Sequence, residues 1–334
     1  MNILFYCPFN FSLDSSNLRS LGGIESLNIE LCKYLSKSKH EIFLASYCKK
    51  IIKKKNFTNI PIRILKEKKL SFKFDKIISS NEPEIFNHFK FTKNFLWLHN
   101  KLPIEKALRK NKFFPILRNK ISAIFVSNFL LNHTSSIYNF EKKIIIPNFL
   151  DPEFKFSNLN FQRRPYFVWS VSRSKGLYEI IQLWKKDIFS KNHNLKLFVF
   201  GIDKKNLDIK NLNLYNKFNI FFMGRVSKQK LITYYKKSMA MICLGHDETF
   251  CLNAIEAFAC GLPIITFAYT SLSELSKRKN SFIINDYEDL PKTIFKIVNF
   301  NIYKRLDLIN NCKNFSNKFN IDKISLLWNK ILFT

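Results

Sequence analysis

The stretch HDETFCLNAIEAFACGLPII, residues 246–265, sets two carboxylates, Glu248 and Glu256, eight positions apart beside an apolar pattern. Its apolar positions fall on one helical face: Leu252, Ile255 and Ala259. Spacings of three and four residues are typical of an amphipathic helix, and the glycine and proline that follow mark its end. We therefore predict a helix that begins near Thr249 or Phe250. Spacing alone also fits an ordinary helix with one capping and one surface glutamate.

Short apolar runs alternate with helical patterns along the whole chain. The predicted strands are 3–7, 42–47, 76–80, 95–99, 121–127, 143–146, 166–171, 195–200, 219–222, 239–244 and 264–267, and the predicted helices include 177–189, 228–238 and 251–260. This rhythm predicts βαβ units, and hence an α/β protein with two Rossmann-like, doubly wound parallel-sheet domains. A polar stretch near Lys155 sets the predicted boundaries: domains 1–155 and 156–318, and a closing helix 319–334 that crosses back to the first domain.

Ligands of open α/β sheets bind at the carboxyl ends of the strands, which directs attention to the loops there. The predicted helix start near Thr249 would offer unpaired N–H groups to an anion, with Glu248 beside it. Glu256 would lie about two turns along the helix. A carboxylate has two acceptor oxygens and suits two adjacent hydroxyls, such as those of a ribose.

Composition narrows the function classes. The net charge is +30, from 55 basic and 25 acidic residues in a chain of 334. The basic residues are spread along the chain rather than clustered, which argues against a dedicated nucleic-acid protein. The spread fits a general attraction to anions or a lysine bias on solvated faces. Seven scattered cysteines without a CxxC pair indicate neither a disulfide framework nor a zinc site, and favour a reducing cytoplasm.

Five segments, in chain order, resemble motifs of retaining GT-B glycosyltransferases, especially glycosyltransferase family 4. They are GGIESLNIELCKYL, IFVSNFLLNHTSSIY with IIIPNFLD, SVSRSKGLYEIIQLW, FFMGRVSKQKLITYYKKSMAMICL and DETFCLNAIEAFACGLPII, the last matching the E-x7-E signature. The resemblance implies a GT-B fold, with two domains facing a cleft. It also implies a metal-independent hexosyltransferase that moves a sugar from a UDP- or GDP-sugar to a glycan or lipid-linked acceptor, in cell-surface polysaccharide or lipopolysaccharide synthesis.

The resemblance also implies roles for residues of the signature. Glu256 matches the glutamate that holds the donor's ribose, and Glu248 matches the one near the donor sugar and the reacting centre. Thr249 belongs to the predicted donor site. The N–H groups of Phe250 and Cys251 match those near the sugar and diphosphate. The family's glycine after ETF is Cys251 here, and its side chain is expected to narrow the donor-sugar pocket.

Further roles follow from the other segments. Lys175 matches the cation that neutralises the departing diphosphate, and Arg173, two residues earlier, is the alternative for that contact. Gly22 and Gly23 match a loop that lets phosphate or acceptor approach the backbone closely. His99 ends a predicted strand, either lining the cleft near the transferred sugar or serving as a structural strand-end residue. No metal or other cofactor is expected.

Two segments of the first domain, 51–74 and 101–120, are basic and apolar together. Such a mixture suits an anionic membrane surface and a lipid-linked acceptor, or else an ordinary lysine-rich surface. We therefore expect a cytoplasmic protein, either soluble or on the inner membrane face. Two alternatives stay open. One is a basic nucleic-acid-binding protein; the other is a weakened GT-B partner subunit, suggested by Cys251 and by the YTSLSEL stretch around Tyr269.

Overall fold

The computed structural model describes residues 1–9, 21–66, 73–89, 92–155, 162–171, 176–202, 209–245, 248–277 and 279–333. The chain forms two compact units, which are described separately. The first holds Met1–Phe149 and Ile321–Thr334, and the second holds Leu150–Asn320.

The first unit is built on an eight-stranded sheet. Its strands are β1 (Asn2–Tyr6), β2 (Glu41–Ser46), β3 (Ile52–Lys54), β4 (Phe57–Pro61), β5 (Lys76–Ser80), β6 (Lys93–Leu98), β7 (Ile121–Phe125) and β8 (Lys142–Ile145), in the order β3-β4-β2-β1-β5-β6-β7-β8. All neighbouring pairs are parallel except β3 and β4. Its helices include α1 (Gly23–Leu35), α2 (Ile62–Lys66), α3 (Ile104–Arg109), α4 (Phe113–Arg118) and α5 (Asn128–Asn132).

The second unit has a six-stranded parallel sheet. Its strands are β9 (Tyr166–Trp169), β10 (Lys196–Phe200), β11 (Ile220–Gly224), β12 (Ala240–Cys243), β13 (Ile264–Phe267) and β14 (Ser281–Ile284), in the order β11-β10-β9-β12-β13-β14. Its helices are α6 (Pro152–Lys155), α7 (Leu177–Leu183, continued by a π-helix over Trp184–Phe189), α8 (Ile209–Lys217), α9 (Lys228–Lys237), α10 (Leu252–Ala259), α11 (Leu272–Leu275), α12 (Asp289–Val298) and α13 (Ile302–Ser316).

These elements confirm the predicted fold class of two parallel-sheet α/β domains. The central strands read as continuous apolar runs because both faces of a parallel sheet are covered. Among the parallel strands of each sheet the chain order reverses once: between β1 and β5 in the first unit, and between β9 and β12 in the second. Open α/β sheets bind ligands in the crevice beyond the carboxyl ends of the strands at such a point.

The segment 51–74 contains secondary structure that the sequence analysis did not predict. Its described residues form the antiparallel pair β3 and β4, followed by α2. Lys55 makes the tight reversal possible with a φ of 48°. Lys53 and Lys54 of the edge strand β3 are exposed, as charged residues on edge strands often are.

The last helix, α14 (Ile321–Leu332), belongs to the first unit. Trp328 is fully buried, with its ring centroid 4.8 Å from that of Trp97 on β6 and 6.1 Å from that of Phe5 on β1. The buried Lys76 donates from Nζ to the Ile331 carbonyl at 3.1 Å, near the helix end where a cation is favoured. Burying a large apolar side chain contributes about 1.5–3 kcal/mol, so α14 is an integral part of this core.

Within the described residues, no helix is long and apolar enough to cross a membrane.

Candidate functional site

The loop after β12 and the start of α10 differ from the predicted helix start. Cys251 has φ 62° and ψ 82°, a left-handed conformation, so the helix begins at Leu252. The prediction that it begins near Thr249 or Phe250 is therefore wrong. Glu256 consequently lies about one turn along α10 rather than two. Leu252 and Asn253 of the first turn are partly exposed, whereas the rest of the helix is mostly buried.

Cys251 holds this turn despite its side chain. It is buried, and a non-glycine residue in the left-handed region costs about 1–2 kcal/mol relative to the right-handed one. Phe250 before it is also buried, with its ring edge-on to that of Phe319 at 5.8 Å. Glu248 and Thr249 are partly exposed. The turn is therefore anchored by an aromatic contact, while the two polar residues stay accessible.

Glu256 is a carboxyl group with a raised pKa. Burial raises the pKa of Glu256 to about 8; the charge of Asp151 adds to this effect and that of Lys228 opposes it. The charge of Glu256 in turn contributes to raising the pKa of the buried Tyr235 hydroxyl well above its ordinary value. In the unliganded protein Glu256 is thus largely protonated at neutral pH, and a ligand that donates hydrogen bonds would favour its charged form.

A charged cluster beside Glu256 links α6 to the start of α9. Lys228 Nζ lies 2.5 Å from Asp151 Oδ2 and 3.1 Å from Glu153 Oε1. Gln229 Nε2 donates to Glu153 Oε2 at 3.5 Å. Sequence reasoning missed this cluster, since its members lie about 75 residues apart. The sequence feature that could have indicated the cluster is Lys228, in the segment FFMGRVSKQK.

The loop after β9 is fixed at both ends. Asn253 of α10 donates from Nδ2 to the backbone oxygen of Ser170, which directly follows β9. Gly176 has a φ of +87°, and a Cβ built there would lie 2.1 Å from the Tyr287 hydroxyl and 2.9 Å from the Leu244 carbonyl, so only glycine fits. Residues 172–175, which include the predicted Arg173 and Lys175, lie outside the described residues, as do 246 and 247.

One partly buried cation, Arg163, holds α10 at its other end. The Arg163 guanidinium donates to four backbone carbonyls, those of Tyr235, Ser238, Cys260 and Gly261, at 2.6–3.2 Å. These carbonyls lie at or just beyond the ends of α9 and α10, where helices leave such groups unpaired. Burial lowers the pKa of Arg163 to about 10, so the guanidinium stays charged at neutral pH.

In the first unit, His99 directly follows β6 and is buried. Its backbone N–H donates to Asn81 Oδ1 at 2.9 Å, and its ring centroid lies 4.4 Å from that of Trp97. Burial lowers the pKa of His99 to about 3, so its imidazole is neutral over the physiological range. A neutral ring can donate one hydrogen bond and accept another.

Gly22 and Gly23 lie at the start of α1, as predicted, with Gly22 as the N-cap and both residues exposed. A Cβ on Gly22 would lie 2.4 Å from Oε2 of Glu25, so the Glu25 carboxylate occupies the space over the glycine. This carboxylate already takes the place where an anion would meet the helix start. Among the residues that the structure covers, no group of three or more His, Cys, Asp or Glu side chains is placed to hold a metal ion.

Residues 152–315 match the profile of the family described as "Glycosyl transferases group 1". This segment belongs to that family. Among curated proteins, the chain is 26% identical over 239 residues to an uncharacterized glycosyltransferase of Methanocaldococcus jannaschii, covering 69% of this chain and 65% of that protein. It is 27% identical over 219 residues to one of Haemophilus influenzae, covering 63% and 58%. The chain thus spans less than two thirds of either relative's length.

Solved structures show the fold of the whole chain. Sucrose-phosphate synthase from Thermosynechococcus elongatus aligns with a TM-score of 0.76 and 15% identity, over 99% of this chain and 98% of that one. HepE from Anabaena, solved in complex with UDP, aligns with a TM-score of 0.73 and 14% identity over 100% of both chains. These likenesses confirm the predicted GT-B fold.

Within the group 1 segment, the sheet topology relates two of the predicted motifs. The SVSRSKG segment follows β9, the E-x7-E segment follows β12, and these two strands are neighbours at the point where strand order reverses. The hydrogen bond from Asn253 to Ser170 joins the first turn of α10 to the end of β9. Gly22, Gly23 and His99 belong to the other unit and to its own sheet.

Proposed function

We propose that the protein is a retaining glycosyltransferase that moves a sugar from a UDP- or GDP-sugar to a glycan or lipid-linked acceptor. One observation carries the proposal. Two loops follow the neighbouring strands β9 and β12 at the reversal point of the group 1 sheet, and the helix after β12 carries Glu256. Such a crevice is where nucleotides bind in this class of sheet. HepE, which has the same fold, was solved with UDP.

In this proposal Glu256 accepts hydrogen bonds from the two ribose hydroxyls. Partial removal from water raises the pKa of its carboxyl group, so two donors from the ligand would supply the stabilisation that water gives less of here. The charge of Asp151 raises the pKa of Glu256, and the charge of Lys228 lowers it. The ribose would therefore select the ionised form of Glu256.

The remaining roles concern the reacting centre. Glu248, partly exposed after β12, faces the donor sugar and steadies an oxocarbenium-like transition state together with the diphosphate. The backbone N–H groups of Phe250 and Cys251 lie near the sugar and diphosphate. Lys175, or Arg173 beside it, neutralises the departing diphosphate, which then accepts the acceptor's proton on the same face. No metal ion is needed for these steps, and chelators should leave turnover unchanged.

The acceptor is proposed to be lipid-linked or part of a surface glycan, handled on an anionic membrane. Segment 101–120 presents exposed Leu108, Phe114 and Leu117, and the Arg118 guanidinium lies 5.5 Å from the Phe114 ring centroid. Apolar side chains ringed by basic ones suit the headgroup region of such a membrane. We expect co-sedimentation with anionic vesicles and none with zwitterionic ones. Loss of anionic binding in Phe114→Ser would assign it to this segment, whereas unchanged binding would exclude the segment.

The decisive experiment measures nucleotide affinity by calorimetry with UDP, GDP, ADP and their sugar conjugates. We expect one nucleotide family to bind, and Glu256→Ala to weaken it roughly 30-fold or more, since hydrogen bonds to a charged group are worth about 1.5–3 kcal/mol each. Glu248→Ala should mainly lower turnover. Glu288→Gln, which changes an exposed carboxylate of the same unit, is the matched control.

Other outcomes favour the rival functions. Binding of DNA that weakens steeply with salt, without nucleotide binding, would indicate a nucleic-acid-binding protein. Donor binding without turnover on any acceptor would indicate a weakened partner subunit. A role in cell-surface polysaccharide or lipopolysaccharide synthesis remains a prediction, to be tested by the surface glycans of a strain that lacks the protein.

A further inference from the structure

Asn81 holds the end of β6 with its side-chain oxygen instead of its backbone carbonyl. Asn81 follows β5, and its N–H donates to the Trp97 carbonyl at 3.0 Å, as a parallel ladder requires. In a regular ladder the Asn81 carbonyl would next accept the N–H of His99. Asn81 instead has a φ of 59°, which turns its carbonyl out of the ladder. Its side-chain Oδ1 accepts the His99 N–H in place of the carbonyl.

Lys112 binds the carbonyl that this turn redirects. Its Nζ donates to the Asn81 oxygen at 2.8 Å and to Glu82 Oε1 at 2.6 Å. Lys112 is buried, and a buried charge persists only when it is paired and hydrogen-bonded. The two acceptors provide this pairing, and the lysine in turn holds the backbone carbonyl of Asn81 and the side chain of Glu82.

These contacts matter for His99 because a neutral imidazole can bind a partner only through hydrogen bonds, which depend on its orientation. Its donor nitrogen and acceptor nitrogen are useful only where they point at a partner. The His99 backbone is fixed by Asn81, and its ring lies against Trp97. Lys112, at the junction of α3 and α4, therefore acts on His99 through one intervening residue.

We propose that Lys112 is a positioning residue for His99, acting through the Asn81–Glu82 turn. The role of His99 in turnover rests on the proposed function, whereas the hydrogen-bond relay itself does not. Without Lys112 the Asn81 carbonyl has no buried cation to hold it out of the ladder. The turn can then return to an extended conformation, which releases Oδ1 and shifts the strand end. A misplacement of about 1 Å in a reacting group can lower a rate by roughly 100-fold.

The relay is tested by nuclear magnetic resonance of histidine labelled in the ring. The chain has six histidines, and the His99 signal is the one that disappears in His99→Gln. We expect Lys112→Met to shift this signal. Lys106→Met is the matched control, because Lys106 lies on neighbouring α3 and its Nζ donates to the Lys101 carbonyl rather than to the turn. It should leave the His99 signal in place.

A second variant keeps the test decisive if Lys112→Met does not fold. Asn81→Gly tolerates the left-handed backbone without strain but lacks Oδ1, so it should fold and shift the His99 signal. Asn81→Asp keeps an acceptor oxygen and should preserve the signal. An unchanged His99 signal in Asn81→Gly, and in Lys112→Met where that variant folds, would overturn the relay.

Kinetics then separate positioning from stability. We expect Lys112→Met to lower kcat about tenfold, with the donor KM within about twofold, and to add no further loss in a His99→Gln background. If the wild-type protein shows no turnover, the proposed function fails while the signal shift still decides the relay. If the wild type turns over and folded Lys112→Met keeps its kcat, Lys112 is not a positioning residue.

Discussion

Burial favours the neutral form of both Glu256 in the second unit and His99 in the first. Each lies in a segment that follows a central strand, and each is driven toward its neutral form. The pKa of Glu256 is raised to about 8 and that of His99 is lowered to about 3. Their neighbours differ. Charges of Asp151 and Lys228 act on Glu256 in addition to burial, whereas burial accounts for the shift at His99.

The difference is that the protonation state of Glu256 can change near neutral pH, whereas that of His99 cannot. A pKa near 8 lies within reach of neutral pH, so a bound ligand or a neighbouring charge can change the protonation state of Glu256. A pKa near 3 keeps His99 in one state across the physiological range. The second unit therefore suits recognition that depends on charge, and the first suits recognition that depends on the placement of a neutral ring.

The largest expected effect comes from removing Arg163, which would destabilise the unit that contains Glu256 and leave the unit that contains His99 unchanged. Arg163→Met leaves four carbonyls at the ends of α9 and α10 without their cation. Hydrogen bonds to a charged group contribute about 1.5–3 kcal/mol each, so losing several of them costs about 3–5 kcal/mol or more and lowers the melting temperature of a unit this size by roughly 6–20 °C. Calorimetry should show the loss in the transition of the second unit.

The neighbouring arginine provides the control for this variant. Arg164 is exposed, and its guanidinium donates to the Tyr166 hydroxyl at 3.4 Å rather than to the ends of α9 and α10. Arg164→Met should melt within about 1–2 °C of the wild type, as surface substitutions do. Equal losses in both variants would mean that Arg163 does not hold α10.

A second prediction concerns the pH dependence of donor affinity. If ribose binding needs ionised Glu256, affinity for the nucleotide-sugar should fall about tenfold for each pH unit below 8. Titrations with an intact nucleotide-sugar avoid the ionisation of a terminal phosphate. Glu256→Gln, which cannot ionise, should bind weakly with no slope. A flat wild-type profile would show that Glu256 is not the group that ionises on binding.

The two groups should also give opposite pH dependences of stability. The pKa of Glu256 is raised on folding, so its contribution is full below about 4.5 and is lost as pH rises toward 8. The pKa of His99 is lowered, so its contribution is full above about 6.5 and is lost as pH falls toward 3. Melting curves should show Glu256→Gln flattening the alkaline fall and His99→Gln the acid one. The reverse assignment would refute the comparison.

The sequence predicted much of this architecture and little of its electrostatics. Apolar runs located most strands of both sheets, because a buried parallel strand needs such a run whatever its partners, but β3, β4 and β14 were missed. The start of α10 was misplaced because the helical pattern continues through Cys251, and only the backbone reveals its left-handed turn. The contacts of Lys228 and Lys112 join residues far apart in the chain, and no local pattern distinguishes them from solvated lysines.

The smallest expected effect sharpens the comparison at the backbone. Asn81 and Cys251 each hold a left-handed turn in one of the two units, with φ of 59° and 62°. Asparagine adopts this conformation readily, whereas cysteine does not. Cys251→Gly should therefore relieve strain and raise stability by about 1 kcal/mol or less, seen as a melting temperature higher by roughly 2–4 °C. Asn81→Gly should instead lose about 1 kcal/mol or more, because glycine lacks the Oδ1 that accepts the buried backbone N–H of His99. A stability loss in Cys251→Gly would mean that the buried side chain contributes more through packing than its backbone costs. Cys251 would then be retained for its contacts within the turn.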